Sequence, residues 1–263
     1  MKNCEKILEL FKVSDTLVAE HTELLKVDYP DSVYYGFQGG CSDGERYYYQ
    51  VLMHYDRTDH TKIYSCIAKI DLDEKKVVQY SEPIHLDHGN DITYHPIKKV
   101  LYIANNQPNA TTITVIDPVT LKVLGYETSP VPLYALEYNE KRDQYAAGIS
   151  KKYEFCFLDS DFKQINEKTY RTLPCHDRYI KQGICADDNF IYFIIWDGKQ
   201  RGQDDFQNLI TIYDWDGNYR GKLEFNVESN QEPENISIVN GEIIAVCGKS
   251  QPILYHFEPK LKG

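Results

Sequence analysis

Carboxylate and amide side chains that could bind a cation or move a proton occur at two places in the sequence. Glu232 and Glu234 stand two residues apart, so in an extended strand both would lie on one face and repel each other. That repulsion could raise the pKa of one carboxyl group for proton transfer. With Asn90, Asp91 and Asn235, Glu234 would offer oxygen ligands suited to Ca²⁺ or Mg²⁺. Solvated loop carboxylates are the alternative interpretation.

His88 is the histidine best placed to act as a general base or as a ligand. Together with Glu234 it forms the predicted catalytic pair. In this enzymatic interpretation Glu234, Asn235 and Asn90 hold a divalent cation that polarises a carbonyl group, while His88 moves a proton.

A repeated sequence pattern indicates which elements must position these groups. Residues 38–43 read QGGCSD and residues 182–187 read QGICAD, and an aromatic-rich strand follows each segment. Three further polar or amphipathic positions, Asn90, Tyr134 and Glu234, lead into the same strand–turn–strand pattern. The steps between positions 38, 90, 134, 182 and 234 are 52, 44, 48 and 52 residues. About four short strands per repeat, with hardly any helical periodicity, predict an all-β fold of the β-propeller type.

The repeat predicts a single five-bladed β-propeller domain over residues 1–263, with four-stranded blades. The last blade has only three strands of its own, so we expect an N-terminal strand near residues 17–18 or 24–27 to complete it and remove exposed sheet edges. Apolar positions within residues 4–12 predict a short amphipathic helix, and residues 1–18 form the helix and closing segment. Two β-sandwich domains are the alternative.

The candidate site follows from the expected architecture, because the first strand of each propeller blade lines the central channel. The start of each first strand should therefore lie at the mouth of the channel on the top face. Convergent polar groups over a concavity typify a ligand site, although the same side chains could instead satisfy backbone groups in tight turns. The predicted ligand-binding residues are Gln38, Asn90, Tyr134, Lys181, Gln182 and Trp196.

Two loops predicted on the same face are longer than their counterparts. They cover residues 54–60 and 196–206, and long loops on a rigid scaffold tend to carry specificity. Trp196 could supply a stacking wall for a ligand or could fill space beneath its loop. Both loops are candidate contacts for a protein partner.

The segment Gly36-Phe37-Gln38-Gly39 at the start of the first blade resembles the plant and bacterial glutaminyl cyclases. That resemblance implies a five-bladed propeller and, in the family, cyclisation of N-terminal glutamine by a glutamate at the channel mouth. In the matching stretch, residues 89–93, this sequence carries Asn90 where the family has its catalytic acid.

Residues 90–92 and 234–237 show a weaker likeness to calcium-dependent lactonases of the regucalcin and paraoxonase type. The resemblance implies metal ligands brought to a channel and lactone hydrolysis. Those proteins have six blades, and Gln38 stands here where they take an acidic ligand from the first blade.

The composition argues against some classes of protein. The chain has 263 residues and a formal net charge of −11, which argues against a nucleic-acid binder because such proteins need a basic face. We find neither a signal peptide nor a membrane-spanning apolar segment in the sequence. The seven cysteines are scattered without a Cys-x-x-Cys pair, as expected for reduced, buried thiols. These features favour a cytoplasmic protein.

The sequence therefore predicts recognition of a small polar ligand, a sugar or a peptide end, at the mouth of the propeller channel. The alternatives are a metal-assisted hydrolase, lactonase or lyase at the same site, and a protein-interaction platform that uses the two long loops.

Overall fold

The computed structural model of the chain describes residues 2–54, 64–198, 207–227, 231–249 and 251–263. Most of each long loop predicted above, at 54–60 and 196–206, lies outside these residues. Within them the fold is all-β, with a single short helix, α1 (Asn3–Leu10), ahead of strand β1 (Thr16–Lys26). The helix was predicted over residues 4–12, so the prediction is confirmed to within two residues at each end.

The next twelve strands form three separate four-stranded antiparallel sheets in chain order. The first sheet contains β2 (Tyr34–Ser42), β3 (Tyr47–His54), β4 (Tyr64–Asp71) and β5 (Lys76–Tyr80). The second contains β6 (Asp91–His95), β7 (Val100–Ala104), β8 (Thr112–Ile116) and β9 (Val123–Thr128). The third contains β10 (Leu133–Asn139), β11 (Gln144–Ile149), β12 (Glu154–Asp159) and the two-residue β13 (Tyr170–Arg171).

The remaining strands form one eight-stranded sheet. Its strands are β14 (Tyr179–Ala186), β15 (Phe190–Asp197), β16 (Asn208–Asp214), β17 (Tyr219–Phe225), β18 (Glu232–Val239), β19 (Glu242–Gly248) and β20 (Ile253–Leu261), together with β1. Strand β1 pairs antiparallel with β20 along its length and parallel with β17 over residues 16–18. An N-terminal strand therefore pairs with the last strand as expected; it spans both predicted places, near residues 17–18 and near residues 24–27, and ends at Lys26, beyond the segment 1–18.

Five apolar clusters of described residues fill the spaces between successive sheets. Val51 of the first sheet, for example, shares a cluster with Ile103 of the second. Between the third sheet and the strands β14–β17, the rings of Phe155 and Phe193 lie 5.0 Å apart between centroids. The cluster that contains Leu52 of the first sheet also contains Val246 of β19, so the last strands pack back against the first sheet. The packing is therefore propeller-like.

The first strands of the sheets stand around a common axis. Strand β2 lies beside β6 and β18, and β10 lies beside β6 and β14, while β14 also lies beside β18. This ring of β2, β6, β10, β14 and β18 brings residues far apart in the chain to one place. Within the described ranges, no helix is long and apolar enough to cross a membrane.

Candidate functional site

A concave cavity of about 570 Å³ opens where the first strands begin, and we refer to it as the cup. Seven of the residues predicted from the sequence line it, and so does Glu232. The lining residues that carry the following argument are Gln38, His88, Asn90, Tyr134, Lys181, Gln182, Glu232 and Glu234. The structure thus brings together side chains from all the first strands or from the residues just before them.

An irregularity in the strand register accompanies four of the cup residues. Each lies at a point where its first strand slips by one residue against the second strand of the same sheet, as in a β-bulge. A bulge bends the strand locally and redirects a side chain away from the regular alternation. The four residues are Gln38, Tyr134, Gln182 and Glu234. The bulges place these side chains in the cup.

Glu232 and Glu234 form an acidic wall of the cup. The Gln182 side-chain amide donates a hydrogen bond from Nε2 to Glu232 Oε1 at 2.8 Å, and Gln38 Nε2 lies 3.4 Å from Glu234 Oε2. Glu234 is only 9% exposed. Burial, followed by the neighbouring Glu232 carboxylate, raises the pKa of Glu234 well above its usual range. The pair therefore tends to retain a proton that two solvated carboxylates would lose.

Lys181 lies on the other side of strand β14 from the acidic wall. Its Nζ donates to the backbone carbonyl of Lys152 at 2.5 Å and stands 4.5 Å from the ring centroid of Tyr153. Removal of water from around the ammonium group lowers the pKa of Lys181 to about 7. The amine therefore loses its proton more readily than a solvated lysine does.

Asn90 is held by an amide network at the rim of the cup. Asn106 Nδ2 donates to Asn90 Oδ1 at 3.1 Å, and the Ser150 hydroxyl donates to Asn106 Oδ1 at 2.8 Å. His88 is exposed at the same rim, yet the protein around its ring excludes part of the water and lowers its pKa. Both residues can therefore act as uncharged hydrogen-bonding groups.

Asp91 and Asn235 lie below the cup rather than in its lining. Asp91 Oδ1 accepts a hydrogen bond from Asn235 Nδ2 at 2.7 Å, and Asp91 Oδ2 accepts from the backbone N–H groups of Leu136 at 3.1 Å and Ile184 at 3.2 Å. Both side chains are fully buried. They join four first strands across the central axis and close the floor of the cup.

The four predicted metal ligands are consequently divided between two layers. Asn90 and Glu234 face the cup, whereas Asp91 and Asn235 bond each other beneath it. No three or more His, Cys, Asp or Glu side chains of the described residues are grouped so that they could hold a metal ion.

The glycines of the repeated Gln-Gly pair have a steric role in this floor. A Cβ atom built at Gly39 would stand 2.5 Å from Asp91 Cα, and one built at Gly183 would stand 2.5 Å from Asn235 Nδ2. Only glycine allows β2 and β14 to approach the neighbouring strands so closely. In each repeated Gln-Gly pair, the glutamine side chain therefore lines the cup, and the glycine leaves space for a floor residue, Asp91 or Asn235.

Trp196, also predicted at the site, lies half-buried in β15 opposite Ile180 and is not among the described residues that line the cup. Sequence reasoning missed Tyr153 and Asp177, which do line it, along with several residues of the loops that follow second strands. The Tyr153 hydroxyl donates to Asp177 Oδ1 at 3.0 Å. Alignment of the loops between second and third strands across the repeat could have identified Tyr153, since these loops share the cup face.

Comparison with solved structures shows the fold in other proteins. A crystal structure of glutaminyl cyclase from Myxococcus xanthus matches with a TM-score of 0.62 at 11% sequence identity, covering 94% of this chain and 99% of that chain. A member of the DUF4221 family from Bacteroides vulgatus matches with a TM-score of 0.54 at 9% identity, covering 94% and 98% of the two chains. No protein-family model and no curated protein matches the sequence. The likeness to glutaminyl cyclases that residues 36–39 predicted is therefore confirmed at the level of the fold.

Proposed function

We propose that the chain is a single-domain, five-bladed β-propeller that binds a small polar ligand in the cup. The blade count rests on the pairing of the eight-stranded sheet. Strands β14–β17 would form the fourth blade, and β18–β20 with β1 the fifth. Among the described strands, these two blades are joined where residues 16–18 of β1 pair with β17. Each blade would then have four strands, as in the first three sheets.

One observation supports the ligand site: polar side chains from separate sheets converge on one concave cavity. Of the lining residues, Gln38 and Gln182 supply amide donors and acceptors, Glu234 supplies a buried acid and Lys181 a partly desolvated amine. Small-molecule sites combine a concavity with a few oriented polar groups in this way. Sugars and peptide ends suit such a lining because they carry several hydrogen-bonding groups on a compact frame.

A thermal-shift panel of monosaccharides, amino acids and dipeptides tests this proposal. A probe present at about 100 times its Kd would stabilise the folded chain by ~2.7 kcal/mol, so a probe that binds should raise Tm. The Gln182→Ala variant should reduce that rise, because Gln182 lines the cup and orients Glu232. Gln79→Ala, in the outer strand β5, is the matched control and should respond like the native chain. If no probe distinguishes these two variants, the ligand site is not in the cup.

Acid–base catalysis at the same cavity is a second candidate, favoured by the burial of Glu234 beside Glu232. A carboxyl group with a raised pKa can donate a proton near neutral pH, and His88 at the rim can accept one. Hydrolysis of small lactones and cyclisation of N-terminal glutaminyl peptides are the reactions to assay. Turnover by the native chain that is lost in Glu234→Gln, with binding of a neutral probe retained, would support catalysis. Absence of turnover in the native chain would leave ligand binding as the function.

In the metal-assisted form of this candidate, a divalent cation binds to Asn90 and Glu234, and Asp91 and Asn235 support the site. Thermal shifts with Ca²⁺, Mg²⁺ and EDTA test it. An unchanged Tm across the three conditions would count against a cation in the cup.

A further inference from the structure

Strand β14 divides the cup into two sides of opposite charge. Lys181 and Gln182 are neighbours in this strand, and their side chains reach in opposite directions. Lys181 Nζ approaches the ring of Tyr153, which follows β11 of the third sheet, whereas Gln182 Nε2 bonds Glu232 of β18. The cationic and acidic groups therefore lie on either side of one strand and face the same cavity.

The cationic side consists of Lys181 with Lys151 and Lys152, which also line the cup. The acids near it have other partners: Asp177 accepts the hydrogen bond of Tyr153, and Glu154 Oε2 lies 3.9 Å from Lys152 Nζ. Among the described residues no ion pair joins Lys181 to a carboxylate, and its hydrogen bond goes to a neutral backbone carbonyl. Burial lowers the pKa of this amine by more than the nearby Glu154 and Cys175 raise it.

The acidic side consists of Glu232 and Glu234. Gln38 provides a neutral amide partner for Glu234 at 3.4 Å, and no described cationic side chain forms an ion pair with Glu234. Its neighbour Glu232 adds negative charge to the same wall. A ligand cation at this wall would favour the ionised form of Glu234.

Tyr134 adds an aromatic ring to the cationic side of the cup. Tyr134 lines the cup and is only 5% exposed, yet its hydroxyl group has no hydrogen-bond partner among the described residues. Tyr134 is also 5.9 Å from Lys181 Nζ, measured to its ring centroid.

We propose that the ligand of the cup is a small zwitterion whose cationic group binds at Glu232 and Glu234 and whose anionic group binds at Lys181. This inference rests on the proposed function and specifies its ligand class. A ligand with one charge would interact favourably with only one side of the cup. A zwitterion satisfies both sides at once.

Isothermal titration calorimetry with unbranched ω-amino acids tests the proposal, using the series from glycine to its six-carbon homologue. Each probe is compared with its N-acetyl derivative, which lacks the cation, and with its carboxamide, which lacks the anion. The best zwitterion should bind at least about tenfold more tightly than either derivative, the ratio expected when one charge-assisted contact is lost. The optimal length of the probe reports the separation of the two charged sides.

Two variants connect each ligand charge to its residue. Lys181→Met should remove the preference for the carboxylate over the carboxamide and keep the preference for the free amine. Glu234→Gln should do the reverse. Lys141→Met is the matched control, because Lys141 is exposed and pairs with Asp188 away from the cup. The variants must retain the native circular dichroism spectrum.

The outcomes separate this inference from the proposed function. If neutral sugars bind as tightly as any zwitterion, and Lys181→Met leaves the affinities unchanged, the zwitterion proposal is wrong while ligand binding in the cup stands. If ω-amino acids do not bind although other probes respond to Gln182→Ala, the zwitterion proposal is again wrong. If no probe binds and Gln182→Ala has no effect, both proposals are wrong.

Discussion

Burial raises the pKa of acidic side chains in several of the first strands. Glu234 lies in the cup wall and Asp91 in the floor, where burial raises the pKa of both groups well above the ordinary values. Glu137 lies in β10 two residues beyond Ala135, and its side chain is near Thr93 and the backbone of Ala186. At the residue scale, burial in the first strands therefore favours the protonated form of these acids.

Glu137 gives a pH-dependent prediction. Burial raises its pKa from 4.5 to about 8 in the folded chain. Between these pH values the unfolded chain has lost the proton and the folded chain keeps it, so the free energy of unfolding falls as pH rises through this window and levels off above it. Glu137→Gln should remove this contribution and gain roughly 1–3 kcal/mol over the native chain near pH 8, with partial exposure of the side chain reducing the effect.

Urea unfolding at several pH values between about 5 and 9 measures the effect of Glu137→Gln. Glu140→Gln serves as the control, since Glu140 is exposed directly after the same strand. If the free energy of unfolding of Glu137→Gln depends on pH in the same way as that of the native chain, the raised pKa of Glu137 is contradicted.

At the scale of elements, the close approach of the first strands explains why glycine follows glutamine in the two repeated segments. Gly183→Ala should lower the free energy of unfolding by about 1–3 kcal/mol or more, because the added methyl group overlaps Asn235 Nδ2 and the strands must separate. Gly39→Ala should cost as much, since its obstacle is the backbone of Asp91. Gly125→Ala in β9 is the control, because its methyl group would enter open space. Equal midpoints in urea for all three variants would contradict this packing.

The strand pattern could be predicted from sequence because the repeat spaces its turn residues regularly, and all the predicted residues at first-strand starts line the cup. The division between cup and floor could not be predicted. Asn90 and Asp91 are adjacent, and their directions depend on contacts with other sheets. The bulges at Tyr134 and Glu234 could not be predicted either, because they depend on how a strand pairs with its partner and do not change the pattern of apolar residues.

At the scale of the whole molecule, β1 joins the last strands to the neighbouring part of the eight-stranded sheet. It covers the edges of β17 and β20, and Leu17 is fully buried in the cluster between them. Truncating one such leucine costs about 2–5 kcal/mol. Deletion of residues 2–26 should therefore lower Tm by roughly 10 °C or more and promote aggregation through the exposed edges.

Deletion of residues 2–12 is the matched comparison, because it removes α1 and keeps β1. Its effect on Tm should be clearly smaller. If circular dichroism melting gives the same Tm for both deletions, β1 does not close the structure as its pairing suggests.

The central claim, that the cup binds a small polar ligand, is tested most directly by a crystal structure of the chain soaked with the probe that gives the largest thermal shift. We predict electron density for the probe in the cup, hydrogen-bonded to Gln182 and to the Glu232–Glu234 wall, above an unchanged Asp91–Asn235 floor. Density for the probe at another surface, with the cup free of it, would contradict the account.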